Sequence, residues 1–219
     1  MSNSFDNSQA ICVITAMAVE FNALIDQFKI DRNNVIKLCD EYYIAECAEK
    51  NLVIAQAGIG KLRAKECAKI LHMRYPYIMI YVSFGLAGSL SEEINVGDIV
   101  MGSSILETND QGEDKSYKTI EHKNKKHVYS GLVFCSNKFI NSEKEKNYLH
   151  KKFGALCVEM ESSGIAQFIE NKNIPIMVIK IISDQANEKS LISIFRLQKT
   201  LCKSLAKHFE LIVDNVISS

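Results

Sequence analysis

The sequence lacks several features that would place it in a specialised class of protein. Its 219 residues include no Trp and only 2 Pro, which argues against a linker-rich or disordered chain. Lys plus Arg equals Asp plus Glu at 26 each, so no net charge attracts nucleic acid or an anionic membrane. No apolar run approaches the ~20 residues that span a bilayer, and no signal peptide is recognisable. We therefore expect a cytoplasmic protein with no nucleic-acid partner and no membrane insertion.

The cysteines and histidines show no metal-binding pattern. The chain has 7 Cys and 5 His. The cysteines form no C-x-x-C pair, and several lie inside apolar runs. An odd count with scattered spacing favours reduced thiols in the core over a disulfide framework or a zinc site. We expect no metal and no cofactor. The cysteines are Cys12, Cys39, Cys47, Cys67, Cys135, Cys157 and Cys202.

Strand-like and helix-like patterns alternate along the whole chain. Apolar residues make up 47% of it, enough for one domain (1–219) with a sizeable core. Strands are predicted at 11–17, 42–47, 52–57, 77–83, 98–105, 128–135, 155–158 and 174–182. Helices are predicted at 20–28, after residue 61, and at 142–151, 161–170 and 193–216. This alternation predicts an α/β fold with a central mixed, mostly parallel sheet.

Three segments fall outside these patterns. Residues 1–9 are expected to be flexible. Residues 84–90 form a glycine-punctuated stretch, predicted as a loop that lets the backbone approach a ligand closely. Residues 108–126 are rich in charged and polar side chains without periodicity, which predicts a surface loop or a mobile lid.

Carboxylates follow two of the predicted buried strands. Glu159 and Glu161 come after the strand at 155–158, and Asp184 comes after the strand at 174–182. Ligands of open α/β sheets bind at the carboxyl ends of the strands. Folding does not require acidic side chains there, so these positions indicate an active site.

Each motif also has an ordinary structural interpretation. Taken alone, Glu20 suits an exposed first turn of a helix, where its charge complements the helix dipole. Residues 58–61 (Gly-Ile-Gly-Lys) lack the remaining residues of a nucleotide-binding loop and suit a turn before a helix. Met160 suits core filling, and Asp184 suits a capping residue.

The order of the motifs is far more specific than any one of them. Together they resemble the purine nucleoside phosphorylase and nucleosidase superfamily, especially the 5′-methylthioadenosine/S-adenosylhomocysteine nucleosidases. The resemblance extends from about residue 11 to the C-terminus and implies a three-layer α/β/α domain. The segments that carry it are 15–20 (Thr-Ala-Met-Ala-Val-Glu), 57–61 (Ala-Gly-Ile-Gly-Lys), 85–90 (Gly-Leu-Ala-Gly-Ser-Leu), 96–100 (Val-Gly-Asp-Ile-Val), 139–141 (Phe-Ile-Asn), 158–162 (Val-Glu-Met-Glu-Ser) and 182–186 (Ile-Ser-Asp-Gln-Ala).

The resemblance implies a small-molecule nucleoside substrate and a role for each matching residue. Asp184 corresponds to the acid that protonates the leaving purine, and Glu20 to the base that orients the attacking water. Glu161 corresponds to the residue that holds the ribose hydroxyls. The other binding residues that the resemblance implies are Met160 against the sugar, Phe139 and Ile140 around the base, Leu86, Ala87 and Gly88 of the glycine stretch, Ser183, and Glu159, whose role is less defined. The resemblance also implies a homodimer.

The resemblance leaves the nucleophile and the substrate open. Phosphorylases of the superfamily carry an arginine where this chain has 81–83 (Tyr-Val-Ser), and an anionic nucleophile is poorly held without positive charge. Water is therefore favoured. Leu86 replaces the usual serine, Lys180 replaces an arginine, and 108–126 lacks the Tyr-His-Asp-like stretch of methylthioadenosine nucleosidases. The alternatives are cleavage of another purine nucleoside, such as a hopanoid-linked adenosine, with or without phosphate, and a purine-binding protein of low activity.

Overall fold

Strands and helices alternate along the residues that the computed structural model describes, which are 10–39, 41–109, 111–120, 126–187 and 190–217. The ten strands of this part of the chain are β1 (Ala10–Thr15), β2 (Ile36–Leu38), β3 (Tyr42–Cys47), β4 (Leu52–Gln56), β5 (Ile78–Ser89), β6 (Ile99–Thr108), β7 (Asp114–Lys118), β8 (Val128–Cys135), β9 (Cys157–Glu159) and β10 (Ile176–Asp184). The helices are α1 (Ala18–Gln27), α2 (Lys61–Arg74), α3 (Glu143–Phe153), α4 (Ser162–Ile169) and α5 (Ser190–Ile217).

The strands form one mixed sheet that partly closes on itself. Its order is β10-β6-β8-β9-β5-β1-β4-β3-β2, with β7 paired to β6. Strand β10 also pairs with β5, so β10, β6, β8, β9 and β5 form a closed ring. Neighbours β4, β1, β5 and β10 run parallel, whereas β9 runs antiparallel to β5. Gly88 of β5 pairs with Val158 of β9. The carboxyl ends of two strands that run in opposite directions therefore meet at this point of the ring.

Helices cover both faces of the sheet, as the alternation of side chains in β1 shows. Ile11 and Val13 join a core cluster with α1 and α5, which includes Leu24 and Phe209. Cys12 and its neighbours on the opposite face join a cluster with α2 and α4. Successive strand residues point to opposite faces, so a strand buried on both sides must be apolar throughout. The predicted three-layer α/β/α domain is confirmed.

The structure differs from the predicted elements in three places. Residues 84–89 are not a loop, because β5 continues to Ser89 through pairing with β10 and β9. Within 108–126, β7 (Asp114–Lys118) pairs antiparallel with β6, so the predicted surface loop was wrong there. Strand β2 (Ile36–Leu38) was missed because it has only 3 residues, too few for its alternation to be recognised, and because its side chains are mostly exposed. The expectation for 1–9 lies outside the described residues.

All seven cysteines are free thiols, and six of them are buried, as predicted for reduced core residues. Cys39 is the exception and is exposed. In the described part of the chain, no helix has the length and apolar character needed to cross a membrane.

Candidate active site

A cavity of about 300 Å³ lies where the carboxyl ends of the strands converge. Residues that follow or end β1, β4, β5, β8, β9 and β10 line it, together with α5. The structure brings every site residue predicted from the sequence to this one cavity. These residues are Glu20, Leu86, Ala87, Gly88, Phe139, Ile140, Glu159, Met160, Glu161, Ser183 and Asp184.

Glu20 is buried, not exposed as its position in the first turn of α1 would suggest by itself. Its Oε2 atom accepts hydrogen bonds from the amides of Ala16 (2.9 Å) and Met17 (2.8 Å). Its Oε1 atom accepts one from the amide of Leu86 in β5 (2.9 Å). Burial raises the pKa of Glu20, although the Lys180 ammonium and these amides oppose the shift. The carboxylate is therefore fixed between helix and sheet.

Gly85 makes room for that carboxylate. Its φ is +156°, and a Cβ atom there would lie 2.3 Å from Oε1 of Glu20. That distance is far inside van der Waals contact, so any side chain at this position would displace Glu20. The glycine stretch thus lets the Glu20 carboxylate lie directly against the backbone of β5.

Glu159 lines the cavity and forms an ion pair with a buried lysine of β10 that does not line it. The Lys180 Nζ atom lies 3.0 Å from Oε2 of Glu159, and both side chains are almost fully buried. Glu159 also accepts from the amides of Glu161 (3.1 Å) and Ser162 (3.0 Å) and from the Ser162 hydroxyl (2.6 Å). Burial alone would raise the pKa of Glu159, but Lys180 and these donors hold it below its ordinary value. The acceptor positions of this carboxylate are therefore occupied by donors of the protein itself.

Glu161 is the N-cap residue of α4 and lines the cavity. Its Oε1 atom accepts the Gly60 amide at 2.9 Å, and its Oε2 atom accepts the Met160 amide at 3.3 Å. Burial, together with the negative charge of Glu159, raises the pKa of Glu161 from 4.5 to about 7. Each carboxylate oxygen retains a free acceptor position. Glu161 can therefore bind two neighbouring hydroxyl groups of a ligand.

Asp184 is the last residue of β10, not a helix cap. It is buried, accepts the Ala186 amide at 2.8 Å on Oδ1, and accepts the Ser183 hydroxyl at 2.7 Å on Oδ2. The Ser183 hydroxyl also lies 3.3 Å from the carbonyl oxygen of Ala87. Gly88 lies directly beside it, since a Cβ there would be 3.1 Å from Oδ1. The carboxyl group is thus oriented at the edge of the cavity.

Apolar side chains form the remaining wall. Ile140 is buried in a small cluster with Phe134 and Leu149 of α3. Phe139, beside it, is 40% exposed and stands at the cavity mouth. A flat ring held at a mouth can stack on a planar ligand. The cavity therefore combines an aromatic wall with acidic groups.

Six further residues line the cavity that were not predicted as site residues: Ala16, Met17, Ile59, Val158, Lys138 and Gln198. The first four belong to segments already quoted for the resemblance, and Lys138 is adjacent to Phe139. Gln198 lies on α5, far from any motif, and no local signal marks it. It reaches the site only because α5 packs back against β10 and α1.

The charge of the cavity is dominated by carboxylates. Lys138, which lines it, is exposed and paired with Glu145, and Lys180 is paired with Glu159. Among the described residues that line the cavity, no cation lacks a carboxylate partner. The described residues also contain no group of three or more metal-ligating side chains. Such a site stabilises developing positive charge and is poorly suited to hold an anion.

The fold and the site together define an α/β protein with an acidic cavity that has an aromatic side chain, Phe139, at its mouth. The chain belongs to the phosphorylase superfamily, whose family model matches residues 10–218. This finding confirms the resemblance inferred from the motifs.

Curated relatives match the chain over nearly its whole length. A 5′-methylthioadenosine/S-adenosylhomocysteine nucleosidase of Geobacillus sp. (strain WCH70) is 26% identical, with 95% of this chain and 98% of the relative covered. An aminodeoxyfutalosine nucleosidase of Helicobacter pylori is 20% identical, with 95% and 99% covered. Among solved structures, the Helicobacter pylori 5′-methylthioadenosine/S-adenosylhomocysteine nucleosidase with butyl-thio-DADMe-Immucillin-A superimposes with a TM-score of 0.84 at 20% identity, covering 96% of this chain and 100% of that chain.

Proposed function

We propose that this protein hydrolyses the N-glycosidic bond of an adenine nucleoside with a modified 5′ position, like 5′-methylthioadenosine or S-adenosylhomocysteine. The products are the free base and the ribosyl product. The observation that carries the proposal is the single cavity that unites Glu20, Glu161 and Asp184 without an unpaired cation among its described residues. The curated relatives are nucleosidases, which supports the same reaction class.

Glu20 is the residue that holds and activates the water. A carboxylate offers about four acceptor positions, and three of them are filled by the amides of Ala16, Met17 and Leu86. The three amides fix the orientation of the carboxylate, so its one remaining acceptor position has a defined direction. That position accepts a hydrogen bond from a water molecule. Its raised pKa brings Glu20 closer to the basicity that a general base needs near neutral pH.

Asp184 serves the departing base. As the bond to the sugar lengthens, electrons flow into the purine, and a carboxyl proton delivered to a ring nitrogen neutralises the growing negative charge. The same carboxyl group can accept a hydrogen bond from an exocyclic amine. An aspartate therefore suits a 6-aminopurine. Phe139 supplies the stacking surface, and Ile140 closes the pocket.

Glu161 binds the sugar and stabilises its transition state. Its two free acceptor positions match the paired hydroxyls of a ribose. Positive charge develops on the sugar as the base leaves, and the nearby carboxylates stabilise that charge more than they stabilise the neutral substrate. The unfavourable pairing of Glu159 with Glu161 is relieved in part by Lys180, which interacts with both.

We also propose that the protein forms a homodimer and that it is located in the cytoplasm. The exposed apolar side chains of Ile59 and Leu62 beside the cavity support association through this face, and the free thiols fit a reducing compartment. Light scattering of the purified protein measures the mass directly. A monomer at micromolar concentration would contradict the dimer.

A substrate panel tests the proposed function. Base release is measured with 5′-methylthioadenosine, S-adenosylhomocysteine, aminodeoxyfutalosine, adenosine and inosine, with Glu20→Gln as the control for contaminating activity. We expect the 5′-modified adenine nucleosides to give the highest kcat/KM and inosine the lowest. Preference for inosine, or tight binding without turnover of any compound, would contradict the proposal.

A further inference from the structure

The amide that binds Glu161 belongs to a turn at the start of α2. Gly60, with φ of +105°, precedes the first residue of the helix, Lys61. Its N–H donates to Oε1 of Glu161 at 2.9 Å, and Ile59 of the same turn lines the cavity. The orientation of Glu161 therefore depends on where this turn is held.

A buried ion pair outside the cavity holds the turn in place. The Lys61 Nζ atom lies 2.9 Å from Oε2 of Glu107, at the end of β6, and the two side chains are 19% and 5% exposed. Neither residue lines the cavity. Glu107 therefore contacts Lys61, the residue after the turn, and no ligand in the cavity.

Glu107 is held by three further donors from different elements. It accepts from the hydroxyls of Tyr117 in β7 (2.8 Å) and Ser163 in α4 (3.0 Å), and from the amide of Gln167 in α4 (2.7 Å). Burial alone would raise the pKa of Glu107, but Lys61, Gln167, Tyr117 and Ser163 lower it to about 2. Glu107 is therefore ionised, and its hydrogen bonds connect β6 to β7 and to α4.

The backbone of Lys61 is fixed at the same junction. A Cβ atom on Gly164 in α4 would lie 1.9 Å from the Lys61 carbonyl oxygen, so the two helices meet there with no intervening side chain. The Gly164 amide also donates to the Glu161 carbonyl oxygen at 3.0 Å. Lys61 is thus held by its backbone against α4 and by its side chain against Glu107.

We propose that Lys61 and Glu107 form a positioning pair. The pair holds the Gly60 amide in hydrogen-bonding contact with Glu161 and so sets the orientation of the sugar-binding carboxylate. The proposal rests on the proposed function for the role of Glu161 in catalysis. The pair touches neither substrate nor the reacting atoms. Its disruption affects the reaction through Glu161.

The titration of Glu161 in the free protein tests the positioning directly. Its carboxyl signal is followed by ¹³C NMR against pH and assigned by its absence in Glu161→Gln. In Lys61→Met and Glu107→Gln the Gly60 hydrogen bond weakens, and we expect the midpoint to rise by about one pKa unit. Glu107→Gln is decisive, because removing a negative charge would by itself lower the midpoint. An unchanged or lower midpoint in Glu107→Gln overturns the proposal.

Matched variants separate positioning from a purely structural effect. Lys69→Met removes an exposed lysine of the same helix and should leave the midpoint unchanged, while Lys61→Arg should keep it close to that of the wild type. We expect kcat/KM to fall about 10-fold in Lys61→Met and Glu107→Gln. Loss of thermal stability with unchanged kcat/KM and an unchanged midpoint would contradict positioning. If Lys61→Met does not fold, Lys61→Gln replaces it.

The test of the positioning pair and the test of the proposed function can be decided independently. A wild-type protein that releases no base from any nucleoside would contradict the proposed function. The titration needs no substrate and would still decide whether Lys61 and Glu107 position Glu161.

Discussion

At the residue scale, three carboxylates of one cavity have different environments, which suit them to different tasks in the proposed reaction. Glu159 is neutralised by Lys180 and saturated by donors. Glu20 keeps one free acceptor position, and Glu161 keeps two. Residue type alone would not distinguish them. The roles that we propose for them follow from the different donors that each one meets.

In the proposed reaction, replacement of Asp184 by Asn removes the proton that the leaving base needs. We expect kcat for a 5′-modified adenine nucleoside to fall by ~10²-fold or more, with little change in thermal midpoint because an amide oxygen can still accept from Ala186. Steady-state kinetics with Asp26→Asn as a surface control checks this. A variant with full kcat would show that Asp184 is not the acid.

The raised pKa of Glu161 predicts two pH dependences. Since the ionised form binds the developing cation, kcat/KM should rise with pH through about 7, and Glu161→Gln should lose this limb.

The raised pKa of Glu161 also affects stability. The folded protein binds a proton at Glu161 that the unfolded chain releases near 4.5. Its contribution to stability is therefore present below about pH 4.5 and is lost as pH rises towards 7. Thermal midpoints of the wild type and Glu161→Gln should converge at acid pH, and parallel curves would refute the assignment.

At the scale of elements, the sequence predicts the apolar strands and helices well and the polar ones poorly. Strand β1 and helix α2 are marked by continuous or periodic apolar residues. Strand β7 has only one buried residue, Tyr117, so its pairing with β6 leaves no pattern. The glycine stretch was predicted as a loop, because glycine usually breaks a strand. In β5 the glycines instead admit Glu20 and Asp184.

Gly85→Ala tests how β5 and α1 share the site. The added Cβ would displace the Glu20 carboxylate, so we expect kcat to fall by ~10²-fold, comparable to the loss of a general base. Gly112→Ala is the matched control, because its φ is also positive (+81°) but nothing lies within 4 Å. Kinetics and thermal melting of both variants separate displacement from backbone strain. Equal losses of kcat in the two would contradict this account.

Lys180→Met tests the ion pair between β10 and β9. The change leaves Glu159 buried without its cation, which typically costs about 3–5 kcal/mol. Urea denaturation should show this loss, whereas Lys65→Met on the exposed face of α2 should lie within about 0.5 kcal/mol of the wild type. A small effect in Lys180→Met would mean that Glu159 is protonated or hydrated in the folded protein.

At the scale of the whole molecule, strand order determines the site and is the least predictable feature. The closure of β10, β6, β8, β9 and β5 into a ring depends on pairings between distant segments, which local patterns do not encode. The motif order nevertheless identified the superfamily and hence the fold. It also identified the residues that meet in the cavity. Gln198 was missed because only tertiary packing brings it to the cavity. The contact between Lys61 and Glu107 was missed because it joins two segments that lie 46 residues apart in the chain.

Hydrolysis is tested most directly by identifying the nucleophile as water or phosphate. Base release from 5′-methylthioadenosine is measured in phosphate-free buffer and across a phosphate titration, and the sugar product is identified by mass. We predict full activity without phosphate, no increase on its addition, and a ribosyl product that carries no phosphate. A strict requirement for phosphate, or a sugar 1-phosphate as the product, would contradict hydrolysis at this cavity.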